Sequence, residues 1–177
     1  MIYSPAIKEA MLISEKVHHG QLDKGGYPYI FHPYSVAEIL SRSMAFRNAD
    51  QSLREDLICT ALLHDVLEDG GIQCYYDYHM ADKFSIRVKD ALWLLTKDPV
   101  DSYQDYIDRI TASAGTESFT PANYIAALVK QADLAHNLDC TRVENETLSD
   151  GLQNRYQRAY FQITGALGHY TKTNLVY

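Results

Sequence analysis

The segment Leu57–Leu63, LICTALL, is apolar or small on every side and runs without a break into His64-Asp65-Val66-Leu67-Glu68-Asp69. A helix of that composition is buried all round. At about 100° per residue, His64, Asp65, Glu68 and Asp69 share one arc, while Leu62, Leu63, Val66 and Leu67 share the other. The polar arc continues the line of Leu57, Ile58 and Ala61, which face the interior. The chain therefore aims one imidazole and three carboxylates inward. Like charges are costly to bury together unless a cation or protons neutralise them. A Glu-Asp pair before a glycine would, in isolation, be a solvated helix end. An adjacent His-Asp on a buried helix makes that the weaker reading. The fold must close around this helix, and any further metal ligands must come from other segments.

The rest of the chain is punctuated for helices. Ser4 caps a helix with Pro5 at its first position, and Ile7, Ala10, Met11, Ser14 and Val17 follow helical spacing to an end near His18-His19-Gly20. Gly20 to Phe31, with Gly25, Gly26 and Pro28, reads as a loop. Pro33 is expected to start a second helix. The third runs from Asp50 or Ser52 to Glu68 or Asp69, where Gly70-Gly71 stops it. Helices follow over Ser85–Leu95, after a Ser102/Asp105 capping box, from Thr120-Pro121 to about Leu138, and from about Ser149 to His169. The Tyr-rich stretch Cys74–His79 is ambiguous. No strand pair or hairpin signal stands out. The fold class is all-α, in a single domain spanning residues 1–177, and 46% hydrophobic residues suffice for a core.

Two further polar features bear on chemistry. Lys130, Asp133 and Asn137 follow i, i+3, i+7 spacing and share a stripe, with Ile125, Leu128, Val129 and Ala132 on other faces. Such a line can hold a phosphate, a metal and a sugar or base respectively. It can equally be a solvated face with an i,i+3 ion pair worth about 0.2–0.5 kcal/mol, and taken alone that reading is the better one. His32, before Pro33, occupies an N-cap-like position where it could point away from the helix or simply cap it. The net charge of −7 disfavours nonspecific nucleic-acid binding, and an anionic substrate would need a locally positive pocket or a metal. Three cysteines, Cys59, Cys74 and Cys140, with no CxxC, argue against a disulfide scaffold and for a reducing compartment. Lys8, Glu9, Glu15 and Lys16 exclude a signal peptide or membrane span at the N-terminus. The expectation is a soluble, cytoplasmic domain.

The ordered set His32-Pro33, His64-Asp65-x-x-Glu68-Asp69 and Lys130-x-x-Asp133-x-x-x-Asn137 resembles the HD-superfamily phosphohydrolases. More closely, it is similar to the hydrolase domain of RelA/SpoT homologues, in particular the stand-alone small alarmone hydrolases. The matching text is collinear from about Ile7 to Arg142: His18-x-Gly20-Gln21-x-x-Lys24-x-Gly26-x-Pro28-Tyr29-Ile30-x-His32-Pro33, then Leu62–Asp69, Leu95-Thr96-Lys97, and Val129-Lys130-x-Ala132-Asp133-x-x-His136-Asn137-Leu138. The resemblance implies a helical bundle around one metal, usually Mn²⁺, with His32, His64, Asp65 and Asp133 as ligands. It implies that Glu68 and Asp69 orient a water and handle its proton, that Lys24 contacts a phosphate, and that Asn137 contacts the nucleoside. The implied reaction removes pyrophosphate from the 3′ position of (p)ppGpp. His18, outside that ligand set, and His19 close a helix end, and His136 is assigned to packing. His79 and His169 are read as surface residues. Of the 14 tyrosines, Tyr160 is the candidate nucleotide contact, through a loose match to a tyrosine of the related hydrolases.

One departure stands out. The best-known alarmone hydrolases carry Arg-Lys where this chain has Asp23-Lys24, and an aspartate cannot stack on a base as a cation. If the substrate is ppGpp, Asp23 is a weakened base clamp, and Asp23→Arg is expected to improve its use. The second reading is a phosphohydrolase acting on another nucleotide, for example at a 2′- or 3′-phosphate. The third is a metal-bound module that senses a nucleotide without turnover, against which Glu68 and Asp69 argue. At this length no synthetase domain is expected, so pyrophosphate transfer from ATP is not expected either.

Overall fold

A computed structural model describes residues 4–112, 114–116, 118–139 and 149–174, with side chains to residue 169. Cys140 and Arg142 lie outside the described residues. The first helix, α1 (Pro5–Val17), begins as its sequence demands: Ser4 Oγ accepts from the Ile7 amide at 3.2 Å and Pro5 follows the cap. It ends at His18, whose amide donates to the Ser14 carbonyl, and Gly20 then turns the chain with a φ of +77°. The loop that follows is pinched by an isolated antiparallel bridge between Leu22 and Pro28, and no strand forms among the described residues.

Next come α2 (Phe31–Ser41), α3 (Met44–Asn48), α4 (Gln51–Leu63) and α5 (Val66–Asp69). Two of these differ from expectation. His32 is not a cap but lies inside the first turn of α2, with its amide donating to the Tyr29 carbonyl at 2.8 Å. Pro33 is tolerated there because first-turn amides have no intrahelical acceptor. The helix expected to reach Asp69 without interruption breaks at His64-Asp65. In the last turn of α4, where carbonyls lack intrahelical donors, Ala61 O lies 2.8 Å from Nδ1 of the His64 ring. The short α5 restarts beyond it and is closed by Gly70, with Gly71 at a φ of +77°. The Tyr-rich stretch resolves into α6 (Gln73–Asp77) and α7 (Met80–Lys83).

The later helices follow their caps. Ser85 caps α8 (Ile86–Leu95) and Ser102 with Asp105 forms the capping box of α9 (Tyr103–Thr111). Thr120 and Asn123 make a second box at the start of α10 (Pro121–Leu138), and α11 spans Asp150–Asn174. The hub is α10, which packs against α2, α4, α8, α9 and α11. Ile125, Ala126, Ala127, Leu128, Val129, Ala132 and Leu134 are all buried, so α10 is covered on nearly every side. Together, α2, α4 and α10 bring His32, His64 and Asp133 into one interior. Cys59 is buried and Cys74 half-buried, both as free thiols. No helix among the described residues is long and apolar enough to cross a membrane.

Candidate metal centre

The buried end of α4 supplies His64, the following turn supplies Asp65, the first turn of α2 supplies His32, and the latter half of α10 supplies Asp133. His32 Nε2 lies 3.3 Å from His64 Nε2, 3.5 Å from Asp65 Oδ2 and 3.1 Å from Asp133 Oδ1. His64 Nε2 lies 3.0 Å from Asp65 Oδ2 and 3.9 Å from Asp133 Oδ1. The tight group is His32, His64 and Asp65, with ligating atoms within 4.8 Å of one another, and Asp133 joins it through the two imidazoles. His32, His64 and Asp133 are buried and Asp65 nearly so.

The neighbours of these four side chains set which atoms face inward. A carbonyl only accepts, so the Ala61 contact places a hydrogen on His64 Nδ1, and in the neutral ring Nε2 then carries the lone pair. His32 Nδ1 lies 2.7 Å from Nδ1 of His136. When His32 donates there, its Nε2 is free to ligate, which is the outer-shell arrangement common to metal-bound histidines. Tyr29 donates its hydroxyl to Asp65 Oδ2 at 2.6 Å. Asn137 Nδ2 donates to Asp133 Oδ1 at 2.6 Å, and Lys130 Nζ to Asp133 Oδ2 at 2.8 Å.

The electrostatics ask for positive charge at the point of convergence. Burial works against charge on His32, but its bonds to Asp133 and Asp65 outweigh that and push its pKa up to about 9. Burial also opposes ionisation of Asp65 and Asp133. His64 and His32 around Asp65, and Lys130 with the imidazoles around Asp133, nevertheless hold both carboxyls below their ordinary range. Two imidazole nitrogens and two carboxylate oxygens directed at one buried point fit a divalent cation of the Mn²⁺, Fe²⁺ or Zn²⁺ type.

Glu68 and Asp69 stand at the exposed end of α5. Glu68 Oε1 accepts from the Lys97 amide at 2.5 Å, and burial of its carboxyl, with the nearby Asp65 charge, raises its pKa. Asp69 Oδ2 is 3.4 Å from Nδ1 of His18. His18 is not the loose helix end that its place in the sequence suggests. It is 2% exposed, its Nδ1 also meets Gln21 Oε1 at 3.0 Å, its ring lies 5.0 Å from that of Tyr29, and its Nε2 is buried without a partner.

Beside the cluster opens a cavity of about 290 Å³, walled by Asp23, Lys24, Tyr29, Lys130, Asn137 and Tyr156. Four of the five expected substrate contacts, Asp23, Lys24, Lys130 and Asn137, line it. Tyr160 does not: it packs against the core, and Tyr156, one turn earlier on α11, faces the cavity instead. The Lys130–Asp133–Asn137 stripe does carry the i,i+3 ion pair, but turned inward rather than to solvent. Asp23 is engaged within its own loop, with Oδ1 accepting from the amides of Gly25 at 2.9 Å and Tyr27 at 3.0 Å. A larger groove of about 860 Å³, along Trp93, Leu94 and Pro99, is mostly apolar and gathers no metal-ligating cluster among the described residues. Sequence reasoning missed the roles of Tyr29, His136 and Tyr156. The available signals were the spacing of His136 one turn after Asp133 and of Tyr156 one turn before Tyr160.

The chain is thus an all-α bundle closed around an adjacent His-Asp pair, a second histidine and a distant aspartate. The fold is that of a solved structure described as a metazoan ortholog of SpoT that hydrolyzes ppGpp and plays a role in starvation responses, with a TM-score of 0.66, 22% identity and 99% of each chain covered. In sequence the chain is similar to a GTP pyrophosphokinase of Myxococcus xanthus, 48% identical over 63 residues, which is 36% of this chain and 7% of that protein. It is 27% identical over 171 residues to a probable GTP pyrophosphokinase of Mycobacterium leprae, covering 92% of this chain and 19% of that one. It is 29% identical over 133 residues to the guanosine-3′,5′-bis(diphosphate) 3′-pyrophosphohydrolase of Haemophilus influenzae, covering 72% and 17%. The chain therefore spans less than a fifth of the length of these curated relatives. No family model matches it.

Proposed function

We propose that this chain is a metal-dependent hydrolase of a phosphorylated nucleotide, acting on (p)ppGpp to release pyrophosphate from the 3′ position and leave GDP or GTP. The observation that carries the reading is the convergence of His32, His64, Asp65 and Asp133 beside a cavity lined by Lys24, Lys130 and Asn137. The names of the relatives support the substrate. In the reaction a water oxygen bonds to the phosphorus next to the 3′ oxygen. The P–O3′ bond breaks, and a proton derived from the water ends on the 3′ hydroxyl.

His32, His64, Asp65 and Asp133 would hold the cation, for which we propose Mn²⁺. When bound, it supplies Lewis acidity and makes a water nucleophilic near neutral pH. The chain does the rest. Glu68, fixed by the Lys97 amide, and Asp69, held by His18, orient the attacking water and take its proton. Lys24 meets a phosphate at the cavity mouth. Lys130 and Asn137 face the substrate while fixing Asp133, and Tyr156 offers an aromatic wall to the nucleoside. We place the activity in the cytoplasm, in alarmone turnover during the stringent response.

A second reading, hydrolysis of another nucleotide, is favoured by one observation. Asp23 sits in the cavity wall with its second carboxylate oxygen outside the loop bonds of Oδ1, where it can accept from a base or sugar. The test is product analysis over a nucleotide panel with added Mn²⁺. Pyrophosphate from ppGpp bears out the first reading, orthophosphate from other nucleotides the second, and no release from any of them overturns both.

A further inference from the structure

We propose that Arg155 and Arg158, in the first turns of α11, form an anion subsite beside the metal cavity that takes the substrate's 5′ phosphates; this rests on the nucleotide reading above. A nucleotide whose 3′ phosphates reach the metal must send its 5′ phosphates elsewhere, and this chain, at −7, offers few cations to receive them. Lys24 is assigned to a phosphate above, and many of the other cations are already engaged. Lys130 is bonded to Asp133. Arg42, Arg87 and Arg109 pair with Glu38, Asp56 and Asp101. Arg47 and Arg54 donate to backbone carbonyls. Among the described residues, Arg155 and Arg158 have no carboxylate partner.

The guanidinium of Arg155 is nonetheless held in place. It lies 4.8 Å from the ring of Tyr103 and 5.7 Å from that of Tyr156. Stacking on aromatic faces fixes the guanidinium plane and leaves its N–H edge for a partner, and that fork matches a phosphate. With Arg158 and Asn154 it lines a depression of about 360 Å³. Tyr103 lines the depression and Tyr156 the metal cavity, and their rings lie 6.2 Å apart. The Tyr103 hydroxyl is buried with no partner among the described residues, a donor left over on a residue that lines the depression. The depression is thus a cationic ledge beside the cavity wall that Tyr156 forms.

The test crosses a double variant, Arg155→Met with Arg158→Met, with two substrates: ppGpp and its counterpart with a free 5′ hydroxyl. Both arginines are exposed and methionine keeps helix propensity, so the melting temperature should hold. For the wild type, loss of the 5′ phosphates should lower kcat/KM by about 10- to 100-fold, as expected for charge-assisted bonds, mainly through KM. The double variant should lose as much on ppGpp and show no further loss on the 5′-hydroxyl substrate. Arg155→Lys, which keeps charge but not the stacked fork, should recover only part of the activity. Equal losses on both substrates, or none on either, would overturn the subsite. If the wild type hydrolyses neither substrate, the proposed reaction fails instead. Calorimetric binding of GTP against guanosine then still reads the ledge: GTP affinity about tenfold weaker in the double variant upholds it, and unchanged affinity overturns it.

Discussion

Asp133 ties the site to its surroundings, because one carboxylate meets His32, Asn137 and Lys130 at once. Removing it takes a negative charge from the centre and leaves Lys130 buried without its partner. Asp133→Ala should therefore lose bound metal and turnover together, as read by elemental analysis and product release. Metal retained at full occupancy would sink the ligand assignment. Glu68 and Asp69 should behave differently, since both stand outside the ligand cluster. Glu68→Gln with Asp69→Asn is expected to keep the metal while turnover falls about 10²–10⁴-fold. Asp23 shows how a residue's local bonds revise an expectation. Its Oδ1 holds the Gly25 and Tyr27 amides, each such bond worth about 0.5–1.5 kcal/mol. Asp23→Arg removes both, so the gain expected from a base stack is offset by a loosened loop. Asp23→Asn, which keeps an acceptor oxygen, should preserve kcat/KM on ppGpp, whereas Asp23→Arg should lower it. An improved kcat/KM in the arginine variant would restore the weakened-clamp reading.

At the scale of elements, two connections place the chemistry. The first is the break between α4 and α5, which lets His64 point to His32 and Asp65 while α5 turns Glu68 toward Lys97 and Asp69 toward His18. The short α5 is seated by Gly70. A Cβ there would lie 2.5 Å from Cys74 Sγ, 2.9 Å from Val17 Cγ1 and 2.9 Å from the Val66 carbonyl oxygen. Two of these neighbours are side chains that can give, and the third is backbone. Gly70→Ala should therefore shift α5 against α1, cost about 1–3 kcal/mol and reduce turnover more than metal binding. Chemical denaturation and metal titration would separate the two effects. The second connection is the end of α1, where His18 ties the first helix to Asp69. Burial opposes charge on His18, but its bonds to Asp69 and Gln21 outweigh it and the pKa is raised. A raised pKa stabilises the fold fully below the unfolded imidazole value of about 6.5 and is lost as pH rises through the folded value. His18→Asn keeps a donor for Asp69 but cannot titrate. Its denaturation free energy should fall less than the wild type's as the pH is raised from about 6 to about 8. Parallel curves would remove that role.

Across the whole molecule, α10 is both the core and the wall of the site. Its apolar residues meet α2, α4, α8, α9 and α11, while Lys130, Asp133 and Asn137 turn into the cavity. Core stability and site geometry are therefore coupled through one helix. The buried cluster of two carboxylates and two imidazoles should make the fold depend on its cation, as ligand binding to the native state stabilises it by mass action. Chelation should lower the melting temperature and re-addition of Mn²⁺ should restore it. A melting curve indifferent to chelator would argue that the four groups do not hold a metal.

Much of this was legible in the residues because it is local. Helix caps at Ser4, Asp50, Ser85, Ser102 and Thr120 follow from side chains that accept from the amide three residues on, and the structure places a helix after each. The buried run Leu57–Leu63 with His64 and Asp65 at its end declared an interior site, since no solvated helix needs that pattern. What depends on distant segments was not legible. The pairing of His32 with His136 spans 104 positions, and that of Tyr29 with Asp65 spans 36. Whether Tyr156 or Tyr160 faces the cavity was decided by the rotation of α11 against α10, which packing sets and periodicity leaves open. The charge of the cluster could be read along the chain; which neighbours orient each ligand was settled only when α2, α4 and α10 closed on one another.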